Sequence, residues 1–273
     1  MTPKFLSVGS RKVAYYESSG TGKPVFLVHG NSSSGLAFQR QIEGAFGSRH
    51  HVVAVDLPGH GDSERFPKME DYGLPAYATV IFAAAKALGM EEAVVVGWSL
   101  GGHIVLEAHG KFPRAKGFLI FGTPPLAFPP AMDQAFLPNP AVAVGFKEAV
   151  SEEEARAYAT SFFSPGAKAP ESPFVKDILR TDGRARSGLG ASIRPDNLED
   201  EVIVVANLAV PLAILHGGNE QLVSEPYISK LNMPTLWRKK VQIVAGAGHA
   251  IQWEQPEKFE ALLEAFIADS TGR

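Results

Sequence analysis

Ser99 is the residue of this chain whose surroundings most clearly predict chemistry. It lies in Gly97–Gly101 (GWSLG), which fits the G-x-S-x-G pattern of a nucleophilic serine. A wholly apolar run, Ala93–Val96, precedes the motif, and a helical pattern over His103–Gly110 follows it. A tight turn from a buried strand into a helix strains the serine and exposes its hydroxyl. We therefore predict that Ser99 is a nucleophile rather than part of an ordinary turn of small residues.

A serine hydroxyl attacks a carbonyl only with the help of a base. After a nucleophilic serine in a strand–turn–helix of this kind, the acid and then the histidine of the catalytic set follow along the chain. His249, in the loop Gly246–Ala250 (GAGHA), is the predicted base, although a loop histidine can also be a plain polar surface group. Glu220 follows an apolar run that ends at His216, and we predict that it orients His249 and stabilises its cation. A solvated surface role for Glu220 stays open, and weaker competitors for the acid are Asp196, Asp200 and Glu225.

Two further motifs belong near this site. His29-Gly30-Asn31 follows an early apolar run, where the second donor to a developing oxyanion is expected. We predict an oxyanion hole formed by the backbone N–H groups of Asn31 and Leu100, while the side chain of Asn31 has the alternative role of bracing its loop. Asp56–Gly61 (DLPGHG) is predicted to be a structural glycine-rich turn, with His60 outside the catalytic set.

The elements that must position these residues alternate between strands and helices, which predicts an α/β fold with a mostly parallel sheet. Helical spacing marks 75–89, and Glu257–Ile267 is an amphipathic closing helix. The predicted strands are Lys4–Val8, Val13–Glu17, Pro24–His29, His51–Asp56, Ala93–Val96, Gly117–Phe121, Pro211–His216 and Val241–Val244.

The alternation stops after Thr123, where prolines crowd a short stretch up to Pro140. Ser151 and Glu154 form a capping-box pattern that opens a helix through about Phe162, and Ser172–Leu179 suggests another. We predict a core of residues 1–123 and 209–273, with a helical cap at 124–208 that covers the site. The substrate-binding residues predicted in the cap, for which packing of cap onto core is at least an equal alternative, are Phe128, Met132, Phe136, Phe146 and Phe163. Trp98, beside the nucleophile, is predicted to form part of the pocket wall, with a place in the core as the alternative.

Composition narrows the class of protein. The chain has 273 residues, 45% hydrophobic and 20% charged, with a formal net charge of -3 and no cysteine. This charge gives no basis for binding nucleic acid or an anionic membrane, and the missing cysteine excludes thiolate chemistry. We expect a cytoplasmic enzyme without a signal peptide or membrane segment, acting on a small molecule without a cofactor, metal or protein partner.

In order and over nearly the whole chain, these motifs resemble the α/β-hydrolase superfamily. A narrower resemblance is to the metal-independent N-acyl-homoserine lactone lactonases of that fold, which are quorum-quenching enzymes. It rests on HGNSSSG at His29–Gly35, DLPGHG at Asp56–Gly61, GWSLGGHI at Gly97–Ile104, GTPP at Gly122–Pro125 and RTDGRAR at Arg180–Arg186. Those lactonases use a glutamate as the triad acid, which agrees with Glu220.

The resemblance implies that Ser99 opens the lactone ring through an acyl-enzyme. A zinc lactonase would instead require an H-x-H-x-D-H cluster, which the sequence lacks. The alternatives are a general carboxylesterase or carbon–carbon bond hydrolase with the same triad, and a ligand-binding receptor of this fold. Epoxide hydrolases and haloalkane dehalogenases are disfavoured because they need aspartate where Ser99 stands.

Overall fold

A single twisted sheet forms the centre of the molecule. The computed structural model describes residues 1–194 and 198–272. Within them, strands β1 to β8 are Lys4–Val8, Arg11–Glu17, Pro24–Val28, His51–Val55, Val94–Trp98, Gly117–Phe121, Leu212–Gly217 and Gln242–Val244. They are arranged in the order β1-β2-β4-β3-β5-β6-β7-β8. The first two pairs in this order are antiparallel and the remaining pairs are parallel, so the predicted α/β class with a mostly parallel sheet is confirmed.

The central strands are apolar on both faces, as expected for parallel strands covered by helices on each side. Every residue of β5, β6 and β7 is buried. Because β3, β5, β6 and β7 run in the same direction, the loops after them meet at one edge of the sheet. This edge receives the loops that carry Asn31, Ser99 and Glu220.

Helices flank the sheet and fill the interval between β6 and β7. Helices α1 to α12 are Gln39–Glu43, Ala45–Arg49, Leu74–Ala87, Leu100–Glu107, Met132–Ala135, Glu152–Ser161, Lys176–Arg180, Gly183–Ser192, Glu201–Asn207, Glu225–Ile228, Ile251–Glu254 and Pro256–Thr271. None of the described helices is both long and apolar enough to cross a bilayer. The predicted capping box of α6 is present, with Ser151 Oγ 3.2 Å from the Glu154 nitrogen and Glu154 Oε2 2.8 Å from the Ser151 nitrogen.

Helices α5 to α9 lie in the stretch for which the sequence predicts an insertion. Polar side chains join this stretch to the rest of the molecule: Ser34 Oγ donates to Asp177 Oδ2 at 2.5 Å, and Tyr72 Oη donates to Asp182 Oδ2 at 2.8 Å. Both pairs are buried. A hydroxyl that donates to a buried carboxylate offsets part of the cost of removing that charge from water. These contacts therefore hold helices α7 and α8 in a fixed position relative to the sheet.

Arg186, the last residue of the RTDGRAR motif, is 3% exposed. Its guanidinium donates to the carbonyl oxygens of Lys147, Glu148 and Ile178 at 2.6, 2.9 and 3.1 Å. A buried cation needs such acceptors, because each N–H left without one would keep its desolvation cost. Arg186 thereby fixes the segment that follows a 3₁₀ turn, Pro140–Phe146, and this turn lies over the site.

Candidate active site

Ser99 occupies a strained turn between β5 and α4. Its φ and ψ angles are 54° and -121°, a conformation that is costly for a residue with a side chain. The turn is possible because glycines surround it: a Cβ on Gly97 would lie 2.5 Å from the Gly101 oxygen, and one on Gly101 would lie 2.2 Å from the Val28 oxygen. This geometry agrees with the nucleophile elbow predicted from the motif.

His249 and Glu220 form a buried pair beside the elbow. The His249 Nδ1 atom lies 2.9 Å from Glu220 Oε2, and both side chains are 2% exposed. The other carboxylate oxygen, Oε1, accepts the backbone N–H groups of Gln221 and Leu222 at 2.9 Å each. Burial disfavours the charged carboxylate, but His249 and the backbone N–H of Leu222 outweigh it and hold the pKa of Glu220 below its usual value.

The loop that carries His249 is fixed by backbone contacts. Trp98 Nε1 donates to the His249 oxygen at 3.0 Å, and the Gly248 nitrogen donates to Glu254 Oε2 at 2.6 Å. Among the described residues, His249 Nε2 has no hydrogen-bond partner, and none is found for Ser99 Oγ. The imidazole is thus held through Nδ1, while Nε2 remains available as the proton acceptor that a serine nucleophile requires.

The two predicted oxyanion donors lie at the ends of different elements. Asn31 follows β3, and its side-chain Nδ2 donates to the Gly145 oxygen at 2.7 Å, so the side chain braces the loop. Leu100 is the first residue of α4, where backbone N–H groups have no intrahelical acceptor. Within residues 1–194 and 198–272, neither the Asn31 nor the Leu100 backbone N–H has a hydrogen-bond acceptor. Both remain available to bind a negatively charged oxygen.

A mostly apolar cavity of about 140 Å³ opens above Ser99. It is lined by Ser99, His249, Asn31 and Leu100 together with apolar side chains from the stretch between β6 and β7. Among the predicted substrate-binding residues, those on its wall are Phe128, Met132, Phe136 and Phe146.

Two predicted substrate-binding residues do not line this cavity. Trp98 is 1% exposed, and it packs edge-on against Phe162 and Phe174 at ring distances of 5.6 and 6.2 Å. Phe163, 3% exposed, packs edge-on against Phe174 at 4.9 Å. The prediction that these two residues line the pocket is therefore wrong. Both belong to the aromatic packing behind the site, where large rings bury much apolar area.

The competing polar residues have other partners. Asp200 accepts the Ile203 nitrogen at 3.0 Å as the N-cap of α9, and Glu225 accepts the hydroxyl of Ser229. His60 is fully buried 5.3 Å from the ring of His29, away from the cavity wall. Asp196 lies outside the described residues. No cluster of three or more His, Asp or Glu side chains suited to a metal ion occurs in the described part of the chain.

The sequence analysis did not predict four polar residues of the cavity wall, which are His103, Tyr158, Glu199 and Glu201. His103, on α4, forms a pair with Glu201 of α9, with Nδ1 2.8 Å from Oε1. Tyr158 lines the cavity from α6, and burial raises the pKa of its hydroxyl. One signal was available for His103, since it lies four residues after the nucleophile on the same helix. Glu201 and Tyr158 reach the cavity only through the fold of the stretch between β6 and β7.

The chain is similar to known proteins in its family profile, its sequence and its structure. The profile described as "Alpha/beta hydrolase family" matches residues 25–262. A crystal structure of the N-acyl homoserine lactonase AidH complexed with N-butanoyl homoserine is 35% identical, with a TM-score of 0.94 over 100% of this chain and 98% of that one. A non-heme haloperoxidase of Rhodococcus erythropolis is 25% identical over 96% of this chain and 98% of its own. A putative aryl esterase structure from Burkholderia cenocepacia, 20% identical with a TM-score of 0.83 over 100% of both chains, shows the fold alone.

Proposed function

The chain belongs to the alpha/beta hydrolase family, and on this premise we propose that it hydrolyses the ring ester of N-acyl-homoserine lactones, with Ser99 as the nucleophile. The observation that carries the proposal is the convergence of three features on one apolar cavity. These are the strained Ser99, the buried His249–Glu220 pair, and two free backbone N–H groups. The likeness to a lactonase at 35% identity over the whole chain supports the substrate class.

In the first half of the reaction, Ser99 Oγ attacks the lactone carbonyl carbon while His249 Nε2 takes the serine proton. The carbonyl oxygen becomes an anion, which the backbone N–H groups of Asn31 and Leu100 stabilise. Glu220 stabilises the imidazolium through Nδ1. Hydrogen bonds of this kind commonly tighten only with substrate bound, so a long separation between Ser99 Oγ and His249 Nε2 is compatible with this step.

In the second half, the tetrahedral intermediate collapses and breaks the bond from carbonyl carbon to ring oxygen. His249 Nε2–H protonates that oxygen. Because the leaving alcohol and the acyl group belong to the same ring, the alcohol stays attached to Ser99 as part of one opened chain. A water molecule then loses a proton to His249 and attacks the ester. The second tetrahedral intermediate breaks its bond to Ser99 Oγ, which takes the proton back from His249 Nε2. The products are N-acyl-homoserine and free Ser99, and the net reaction consumes one water.

The shape and chemistry of the cavity fit an acyl group. We propose that residues 124–208 act as a cap over the core of residues 1–123 and 209–273, with Phe128, Met132, Phe136 and Phe146 in contact with the acyl chain. A dry cavity of about 150 Å³ with Leu, Ile and Phe walls accepts benzene. The cavity above Ser99, about 140 Å³, is therefore suited to a short acyl chain. Met132 and Phe146, which are 41% and 39% exposed, mark the rim past which a longer chain would extend.

The test is to incubate the purified protein with N-butanoyl-homoserine lactone in weakly buffered solution. Ring opening is expected to acidify the solution, add the mass of one water to the substrate, and release no primary amine. Free homoserine lactone, detected by amine derivatisation together with butyric acid, would show cleavage of the amide instead. Turnover of simple aryl esters without lactone hydrolysis would favour a carboxylesterase, and a single slow event without turnover would favour a receptor.

A further inference from the structure

A second histidine–carboxylate pair faces the same cavity as the first. His103 and Glu201 both line its wall, with Glu201 4% exposed. The His103 Nδ1 atom lies 2.8 and 2.9 Å from the two carboxylate oxygens of Glu201. Glu201 Oε2 also accepts the backbone N–H of Leu126 at 2.8 Å. Nothing in the reaction described above uses this pair.

The pair fixes which nitrogen of His103 carries the proton in the neutral ring. A carboxylate accepts hydrogen bonds, so Nδ1 carries the hydrogen and Nε2 has a free lone pair. In the described part of the chain, Nε2 makes no hydrogen bond, and it is absent from the fully buried atoms that lack one. His103 therefore offers a hydrogen-bond acceptor to a cavity whose walls are otherwise mainly apolar.

The position of His103 relative to Ser99 matches one feature of the proposed substrate. Ser99 and His103 line the same cavity, and His103 is one helical turn further along α4, with its backbone nitrogen 3.4 Å from the backbone carbonyl oxygen of Ser99. In an N-acyl-homoserine lactone, a single carbon atom links the ring carbonyl to the amide nitrogen. A carbonyl held at Ser99 thus brings its amide N–H to the wall that carries His103.

We propose that His103 is a specificity-determining residue whose Nε2 accepts the amide N–H of the substrate, and that Glu201 holds it in that tautomer. This inference rests on the proposed function. It names the chemistry that distinguishes an amide-substituted lactone from a simple one. A site whose acceptor is covered by the bound ligand discriminates against a ligand that lacks the matching donor, because the acceptor then loses water without gaining a partner.

The experiment compares two lactones on each protein. One is N-butanoyl-homoserine lactone, and the other is its analogue with a CH₂ group in place of the amide N–H, which keeps both carbonyls and adds no second cleavable bond. The preference is the ratio of the two kcat/KM values. Intrinsic reactivity and the fraction of folded enzyme cancel when preferences are compared between variants.

His103→Leu is expected to lose about five- to tenfold of the wild-type preference for the amide, the effect of one hydrogen bond. His109→Leu is the matched control, because His109 does not line the cavity and bonds to the Leu106 oxygen instead. It should keep the wild-type preference. The double variant His103→Leu, Glu201→Gln removes the carboxylate charge that the single change leaves unpaired, and it should show the same loss.

The outcomes separate the two proposals. If wild-type protein opens neither lactone, the proposed function fails and this inference fails with it. If it opens both, and the preference is the same in wild type, His103→Leu and the double variant, the inference alone is overturned. A fall in activity of His103→Leu that is equal on both substrates would likewise overturn it, because a purely structural tie between α4 and α9 would act on both alike.

Discussion

Replacement of Glu220 by glutamine tests how the carboxylate serves the base. Oε1 accepts two backbone N–H groups, so the glutamine must place its carbonyl oxygen there. Its NH₂ group then takes the place of Oε2, 2.9 Å from His249 Nδ1. Because a donor now faces Nδ1, this nitrogen must be the acceptor, and the ring proton moves to Nε2. His249 can then no longer take the proton of Ser99.

The expected loss in kcat is large, about 10⁴-fold, since the wrong tautomer has this effect when a triad aspartate becomes asparagine. The assay is hydrolysis of N-butanoyl-homoserine lactone, with thermal unfolding measured in parallel to show that the fold is intact. Glu225→Gln is the matched control, because Glu225 pairs with Ser229 rather than with the base. A kcat of Glu220→Gln within tenfold of wild type, or an equal loss in both variants, would show that Glu220 does not set the tautomer of His249.

Three further changes test other parts of the account. Gly122→Ala would put a Cβ 2.6 Å from Cε1 of His249 and should lower kcat about a hundredfold by displacing the ring, whereas Gly89→Ala, also at positive φ but with open space, should leave kcat unchanged. Arg186→Met removes hydrogen bonds to three carbonyls and should lower the free energy of unfolding, measured by urea denaturation, by about 3 kcal/mol. A decrease below about 1 kcal/mol would contradict this expectation. Burial lowers the pKa of His60 from 6.5 to about 4, so between these values the unfolded chain binds a proton that the folded chain does not. The free energy of unfolding should therefore fall as pH is lowered through this window. His60→Gln should reduce that slope by up to about 1.4 kcal/mol per pH unit, and an unchanged slope would contradict the shift.

The centre of the sheet was predictable because its buried parallel strands are short apolar runs bounded by turn residues. Val94–Trp98 and Gly117–Phe121, for example, lie within two residues of their predicted bounds. The helices between β6 and β7 were harder to predict. Helix α8, Gly183–Ser192, contains three glycines, and α9, Glu201–Asn207, is rich in β-branched residues. Both oppose helix propensity, and packing and the Asp200 N-cap stabilise the helices instead.

The residues of the candidate site also differ in how far the sequence predicts them. Ser99, His249 and Glu220 follow strand ends, so chain order and turn motifs were enough to predict them. Trp98 was misplaced because neighbours in sequence at a turn need not face the same side. His103 and Glu201 are brought together across 98 positions of the chain, which no local pattern records.

The most direct test of the central claim is the mass of the intermediate on Ser99. Enzyme mixed briefly with excess N-butanoyl-homoserine lactone is quenched in acid, and the intact protein and its peptides are weighed. Because the ring oxygen stays attached after attack, we predict an adduct equal to the whole lactone mass, located on Ser99 and missing from Ser99→Ala. An adduct equal to the butanoyl group alone, an adduct on another residue, or full activity of Ser99→Ala would contradict the account.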